Sequence, residues 1–191
     1  LLKRYREFLK FCVCGLFYQA GIAVVITLSA VYAQLVMKFT TAQTITLILV
    51  VNITAAIGAF VFGYVQDRLG HKKTLALTIL LWIIMGVMAA FSHGPVSFWI
   101  AANIAGIAMG SSQSAGRAVV AVFAPAGELA QFYSAWNVAV WGANVLGPIT
   151  YGTVTWLTSG DQRTAILVTT LFFVIGLLIL RRVHLPSKTV C

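Results

Sequence analysis

Residues 63–73 read Gly-Tyr-Val-Gln-Asp-Arg-Leu-Gly-His-Lys-Lys, and they form the only dense cluster of charge between the first and last few residues of the chain. Long uncharged stretches lie on both sides of this cluster, at Phe39–Gln66 and Thr74–Gly116. A spanning helix needs about 20 mostly apolar residues, and both stretches exceed that length. The pattern predicts a loop at 63–73, at the membrane surface between two transmembrane helices.

The composition excludes an ordinary soluble domain. Apolar residues make up 60% of the chain, charged residues 9%, and the mean hydropathy is +0.95, whereas soluble domains are about 25% charged. The apolar runs are too long, and alternate too little, for the strands of a membrane barrel. We therefore predict an all-α polytopic membrane protein with six transmembrane helices, at about 11–36, 43–66, 74–92, 96–120, 129–157 and 163–181.

The helices are expected to form two inverted three-helix repeats in a single unit. Gly63 and Asp67-Arg68 follow the second helix, and Gly152, Asp161 and Arg163 follow the fifth helix on the opposite side of the membrane. Inverted repeats of this kind recur in membrane transporters. The chain begins with Leu rather than Met, which leads us to expect a piece of a longer protein.

The net charge of +9 is sorted by side of the membrane. Only Lys38 and Arg163 fall on one side of the six-helix topology, and the other side holds Lys3, Arg4, Arg6, Lys10, Arg68, Lys72, Lys73, Arg117, Arg181, Arg182 and Lys188. This positive-inside pattern places both termini and the 63–73 loop in the cytoplasm. It favours contact with the lipid bilayer over nucleic-acid binding, and we expect a multi-pass protein of a bacterial inner membrane.

Cysteine and histidine do not indicate a metal or a cofactor. Cys12 and Cys14 lie two residues apart without a nearby histidine, and a metal site needs several ligands at suitable spacing. His71, His93 and His184 lie in the loops and the tail. We predict no bound metal and no cofactor.

Polar residues recur on single faces of several helices, where they are costly against lipid. The fifth helix has one stripe, formed by Asn137, Trp141, Asn144, Pro148 and Tyr151, and we interpret it as the wall of a solute cavity. The fourth has another, formed by Asn103, Gly106, Gly110, Gln113 and Arg117, and Gln19 stands beside a polar side of the first helix. For Asn103 and Gln113, cavity lining and helix packing are both open. For the stripe Asn52, Ala56, Ala59 and Gly63 in the second helix we favour packing.

Two features near the fifth helix have two interpretations each. Arg117 is a membrane anchor or a substrate or gate residue, and Glu128 is a candidate partner for it. Gly147-Pro148 interrupts the helix hydrogen bonding, which allows either a kink that bends during transport or ordinary static packing.

The 63–73 segment resembles the loop motif of the major facilitator superfamily, Gly-x-x-x-Asp-Arg-x-Gly-Arg-Lys-x. Six helices with this motif between the second and third match one half of that twelve-helix fold, and we expect the C-terminal half. The resemblance implies gating roles for Gly63, Asp67, Arg68, Gly70, Lys72 and Lys73. An ion pair at such a desolvated interface would hold one conformation until ligand binding shifts the balance.

Further segments resemble the branch of this superfamily related to vacuolar amino-acid effluxers. They are Phe17–Gly21, Gly110–Arg117, Pro125–Tyr133 and Leu146–Pro148. The chain departs from that branch at Ala20, where an acid is usual, and at Trp141, where a basic residue is common. Both changes remove charge from the cavity, so a proton-carrying carboxylate would have to lie in the other half.

The leading hypothesis is half of a secondary active transporter that moves a small polar solute, with amino acids expected from the resemblance. The alternative is a non-transporting six-helix scaffold or a half that dimerises with a second copy. Its expected partners are the lipid bilayer, an N-terminal six-helix half or a second copy, and the solute. An enzyme is not expected because no His or acid lies mid-membrane, and no charged ring indicates a channel.

Overall fold

The computed structural model describes residues 2–186, which form six α-helices and no strand. The helices are α1 (Leu2–Leu35), α2 (Thr41–Leu69), α3 (His71–Ala90), α4 (Pro95–Phe123), α5 (Leu129–Leu157) and α6 (Gln162–Arg182). The predicted all-α fold class and number of helices are confirmed.

The charged segment 63–73 is not the loop that the sequence predicts. Helix α2 continues to Leu69 and α3 begins at His71, which leaves Gly70 as the only residue between them. Nothing in residues 63–69 breaks a helix, whereas Gly70 has φ 80, a left-handed conformation that glycine adopts at no steric cost. The side chains of Gln66 and His71 meet across this turn at 2.6 Å. The motif is therefore a helix end, a one-residue turn and a helix start.

Four helices, α1, α2, α3 and α6, are long and apolar enough by composition to cross a membrane. Helices α4 and α5 are just as long as α2, with 29 residues each, but they do not reach the same hydropathy. Their lower hydropathy reflects the polar stripes, and their place in the bundle beside the other four makes them part of the same membrane domain.

Contacts between helices repeat under a two-fold exchange. Helix α2 packs chiefly on α4 and α1 on α5, while α3 packs on α4 and α1 on α6. If α1, α2 and α3 are exchanged with α4, α5 and α6 in that order, the α2–α4 contact becomes the α1–α5 contact, and the α3–α4 contact becomes the α1–α6 contact. The α3–α6 contact is unchanged by the exchange. The structure therefore has the predicted arrangement of two inverted three-helix repeats.

Glycines allow the two main helix crossings. A Cβ atom on Gly110 would lie 1.9 Å from the carbonyl oxygen of Ala55, and one on Gly147 would lie 2.2 Å from that of Ala20. The backbones of α4 and α2, and of α5 and α1, approach too closely for any side chain at these positions. Small residues at membrane helix interfaces serve this purpose.

The first turns of α1 hold the ends of α4 and α6 together on the side predicted to be cytoplasmic. The guanidinium of Arg4 donates hydrogen bonds to the carbonyl oxygens of Val122, Phe123 and Ala124, at 2.5–3.0 Å. These acceptors lie at the C-terminus of α4, where carbonyls lack helical partners and a cation is favourable. Arg4 is therefore a side-chain cap for α4.

Glu7 connects the same end of α1 to the segment after α6. Its carboxylate accepts from Lys10 Nζ at 2.6 Å and from the backbone N–H of His184 at 2.7 Å. These hydrogen bonds, the one from Lys10 first, lower the pKa of Glu7 to about 2. Glu7 is thus ionised at any physiological pH, and the connection persists.

Replacing Arg4 with Ala is expected to loosen the end of α4 without unfolding the bundle. Loss of the half-exposed cap should cost about 1 kcal/mol, which corresponds to roughly five-fold faster hydrogen exchange of the amides in residues 121–128. The matched control is Arg6→Ala, because Arg6 is exposed on the same helix end. Equal exchange rates in the two variants would show that Arg4 does not cap α4.

Candidate functional site

The surface of the bundle has two chemically different sides. On α3 and α6, the exposed residues between the charged ends are all apolar, namely Leu77, Leu80, Ile84, Val87, Leu171, Ile175 and Leu178. The exposed surfaces of the other four helices also include polar residues within the helices, namely Thr27, Asn52, Ser114, Asn137, Trp141, Asn144 and Thr153. Helices α3 and α6 therefore present lipid-compatible surfaces, and α1, α2, α4 and α5 form a separate face with polar groups. We call this second side the polar face.

The predicted stripe on α5 lies partly on the polar face and partly inside the bundle. Asn137, Trp141 and Asn144 are exposed, and the Trp141 side chain reaches 68% exposure. Pro148 is half-buried, and Tyr151 is buried with its hydroxyl donating to Gln162 Oε1. The stripe thus supplies two amides and an indole to the polar face, while Tyr151 joins α5 to α6.

Pro148 lies inside α5, which remains helical on both sides of it. Proline has no N–H, so the carbonyl of Asn144, four residues earlier, loses its usual helical donor. The Asn144 side chain is exposed at the same level of the helix. A backbone acceptor and a side-chain amide therefore occur together on α5, next to the glycine that contacts α1.

The amides predicted in α1 and α4 have different environments. Gln113 Nε2 lies 3.5 Å from Oε1 of the buried Gln19, so the two side chains meet across the bundle. Asn103 instead donates to the carbonyl of Trp99 in its own helix, at 2.8 Å. The structure brings Gln19 and Gln113 together and leaves the Asn103 donor committed to α4.

The stripe on α2 lies mostly on the polar face and only in part on the packing surface that the sequence predicts. Its member Ala59 lies beside α4, with its backbone nitrogen 3.0 Å from a Cβ built on Gly110. Asn52 and Ala56 are exposed, and no atom lies within 4 Å of a Cβ built on Gly63. The contact surface of α2 lies to one side, where Ala55 and Gly58 meet the backbone of α4. Both faces of α2 have small residues, so side-chain size alone does not distinguish them.

Arg117 and Glu128 do not form the predicted ion pair in the part of the chain that the structure describes. The Glu128 carboxylate accepts from the hydroxyl of Tyr5 at 2.5 Å, and the backbone carbonyl of Arg117 accepts from Tyr133 at 2.9 Å. Arg117 itself is exposed. Tyr5 donates a hydrogen bond to Glu128 because the first turn of α1 packs at the start of α5. The sequence does not reveal this packing.

The gating residues have contacts of two kinds. Lys72 Nζ donates to the backbone carbonyls of Arg181 and Val183, at 3.0 and 2.6 Å, and so caps the C-terminus of α6. Asp67, Arg68 and Lys73 are exposed, and within residues 2–186 none of them forms an ion pair. Lys72 thus stabilises the six-helix bundle internally, whereas Asp67, Arg68 and Lys73 are exposed at its surface.

Sequence reasoning missed the roles of Arg4, Tyr5 and Glu7. It placed Arg4 among membrane anchors on charge alone and gave no role to the others. Their position could have identified them. They form a turn of charged and aromatic residues directly before the apolar run of α1, so this turn extends the helix beyond the membrane. Among residues 2–186, no group of three or more His, Cys, Asp and Glu residues is arranged to hold a metal ion.

Known proteins of similar sequence and structure are transporters. The family model described as "Vacuole effluxer Atg22 like" matches residues 1–190. The uncharacterised MFS-type transporter YxiO of Bacillus subtilis is 27% identical over 188 residues, which cover 98% of this chain and 43% of YxiO. A putative metabolite transport protein of Haemophilus influenzae is 33% identical over 133 residues, 68% of this chain and 32% of that protein.

Two solved structures share the fold. The xylose transporter XylE of E. coli, in an inward-open conformation, matches with a TM-score of 0.78 and 19% identity over 95% of this chain and 48% of XylE. The E. coli fucose:proton symporter FucP matches with a TM-score of 0.79 and 18% identity over 94% of this chain and 43% of FucP. The chain therefore spans less than half the length of the relatives it matches. Because the family model covers residues 1–190, this integral membrane chain belongs to the Atg22-like vacuole effluxer family of MFS-type transporters.

Proposed function

We propose that the chain is one six-helix half, the C-terminal one, of a secondary active transporter that works by alternating access. The observation that carries this proposal is the division of the surface into an apolar side, on α3 and α6, and the polar face. If the polar face contacted lipid, Asn137 and Asn144 would be exposed to hydrocarbon in mid-membrane, which is unfavourable for polar groups. A water-filled path along the polar face removes that cost.

The proposed partner is a second six-helix half that covers large apolar surfaces on α2 and α5. Helix α2 exposes Ile53, Ile57 and Phe60, and α5 exposes Val145 and Ile149 beside its polar residues. These two helices exchange under the internal two-fold relation, so a second half could contact both in the same way. A second copy of the chain is the alternative partner, and molecular mass in detergent distinguishes a dimer from a twelve-helix monomer.

The proposed solute is small and polar, and amino acids are the class suggested by the effluxer family. Gln19, Gln113, Asn137, Asn144 and Trp141 offer neutral donors and acceptors. The four acidic residues of the chain, Glu7, Asp67, Glu128 and Asp161, all lie at or beyond helix ends. Proton coupling through a membrane-embedded carboxylate is therefore assigned to the proposed other half.

Asp67 is proposed to form a gating contact with the other half, together with Arg68 and Lys73. Support comes from their exposure beside a turn of one residue and from the absence of ion pairs to them within residues 2–186. An exposed carboxylate at a helix C-terminus is unfavourable for that helix. A contact formed in only one conformation would offset this cost and bias the transporter toward that state.

Asp67→Asn tests the gating role. The protein tested is the one encoded by the longest reading frame that contains this chain. In the variant we expect the initial rate of uptake into proteoliposomes to fall at least ten-fold, with unchanged insertion into the membrane. Ten-fold corresponds to about 1.4 kcal/mol of conformational bias. The assay uses single labelled amino acids, xylose and fucose as separate probes.

The control is Asp161→Asn on the opposite side of the membrane. Asp161 accepts hydrogen bonds from the backbone of Arg163 and Thr164 as the N-cap of α6, and Asn retains such a cap. Uptake in this variant should match that of the unmodified protein. Normal uptake in both variants would exclude gating by Asp67, and uptake of none of the probes by any variant would contradict the proposed solute class.

A further inference from the structure

The bundle contains a pocket that the polar face does not explain. A cavity of about 270 Å³ lies between α1, α2, α3, α4 and α6, with Tyr151 of α5 also in its wall, toward the end of the bundle that is predicted to face away from the cytoplasm. Its walls include Val24, Leu47, Met85, Phe98 and Phe173. We call this space the inner pocket.

The polar groups around the inner pocket are already used by the protein. Except for Ser29, each polar side chain in the wall has a hydrogen-bond partner: Tyr32 with Ala89, Asn52 with Ile48, Trp82 with Ser112, Tyr151 with Gln162, Thr169 with Ala165 and Thr170 with Ile166. Because each of these bonds uses the donor of its side chain, a polar ligand would find few free donors in the wall and would lose more hydration than it regains. The pocket therefore selects against polar ligands and for hydrocarbon.

The corresponding space at the other end of the bundle is filled. The stacked rings of Trp82 and Phe173, 5.3 Å apart, come from the two helices that exchange under the internal two-fold relation, and they separate the two ends. On the other side of this pair, the buried Trp136 and Tyr18 pack against Gly15 and Gly116. The chain closes one of the two related spaces with large aromatic side chains and leaves the other open.

The inner pocket has an entrance at the seam of α1 and α2. These helices make little contact with each other, and the wall residues there are exposed, with Ile26 at 56% and Ile48 at 43%. The entrance therefore has apolar edges, and Asn52 is exposed beside it. A hydrocarbon group can enter without opening the rest of the bundle.

From these observations we infer that the inner pocket is a binding site for a compact hydrocarbon group, aromatic or branched aliphatic. Apolar cavities of about 150 Å³ bind benzene, and the inner pocket, at about 270 Å³ with a mostly apolar wall, has room for a group of that size. The group belongs either to a membrane lipid chain or to a molecule that arrives along the polar face. This inference does not depend on transport by the chain.

Benzene is the first probe of the inner pocket. Titrated into the purified full-length protein in detergent, it should raise the unfolding temperature by about 2 °C or more at saturation, because a ligand that binds only the folded state stabilises it. Ala102→Leu, which fills the pocket from α4, should weaken the benzene effect at least ten-fold. Val25→Phe fills it from α1 and replaces Ala102→Leu if that variant does not fold.

Ala121→Leu is the matched control, because Ala121 is exposed on the same helix and lies outside the pocket wall. It should retain the full response to benzene. An equal response in the filled variants and the control would overturn the assignment, because benzene would then be acting at the surface.

Trp82 reports the source of the natural occupant, since it is buried in the pocket wall. Its fluorescence is taken as the difference between the unmodified protein and Trp82→Phe. Quenching in nanodiscs of phosphatidylcholine brominated in its acyl chains assigns the site to lipid. Quenching by bromobenzene alone assigns it to a molecule from the polar face, and quenching by neither overturns the proposal.

Discussion

Gly110→Ala is expected to prevent stable packing of α4 on α2. A Cβ at this position would lie 1.9 Å from the carbonyl oxygen of Ala55 and 3.0 Å from the backbone nitrogen of Ala59. Both neighbours are backbone atoms within a helix, so relief requires the two helices to separate. Overpacking in a well-packed interior costs about 1–3 kcal/mol, and a contact with rigid backbone lies at the upper end, about 3 kcal/mol.

The measurement for Gly110→Ala is the fraction of monodisperse protein after heating in detergent, compared with Gly152→Ala. Gly152 lies in α5, and no atom is within 4 Å of a Cβ built there. Alanine has the better helix propensity, so the control should be neutral or slightly stabilised. Matching heat resistance in the two variants would mean that α2 and α4 do not cross at Gly110.

Trp136→Ala is expected to destabilise the bundle by about 3–5 kcal/mol, the range for truncation of a buried aromatic residue. Trp136 is 4% exposed and stacks on Phe11, with ring centroids 4.9 Å apart. Its indole ring also occupies the space left by Gly15. Truncation leaves a cavity that α1 and α5 cannot close without moving their glycine crossing.

The control for Trp136→Ala is Trp156→Ala on the same helix, because Trp156 is 80% exposed. Unfolding is followed by circular dichroism, which does not depend on the removed fluorophore. The exposed variant should lose little stability. If both variants lost the same amount, the loss would reflect tryptophan at the membrane surface and not packing of α1 on α5.

Sequence reasoning was accurate where a single physical requirement acts on many residues. The number of helices follows from the length of the apolar runs, and the all-α class follows from backbone hydrogen bonding in lipid. The superfamily was inferred from the Gly63–Lys73 motif and the effluxer branch from segments such as Gly110–Arg117 and Leu146–Pro148, and the match over residues 1–190 confirmed the family.

Contacts between distant residues could not be read from the sequence. The pattern of charges suggested Arg117 as the partner of Glu128, but packing of α1 beside α5 brings Tyr5 to Glu128 instead. The same lack of three-dimensional information shifted the predicted packing surface of α2. The contact with α4 is centred on Ala55 and Gly58, each one residue before a member of the predicted stripe, and of that stripe Ala59 takes part in it.

The two repeats are joined internally by connections of unequal length. Between α2 and α3 there is only Gly70, whereas α5 and α6 are separated by residues 158–161. A tilt of α2 must therefore carry the start of α3 with it, and through Lys72 the end of α6 as well. At the opposite end, α5 is joined to α6 by the four-residue connection and by the hydrogen bond from Tyr151 to Gln162, so mechanical force applied near the charged motif is transmitted mainly through the backbone, while force applied at the far side is transmitted through side chains.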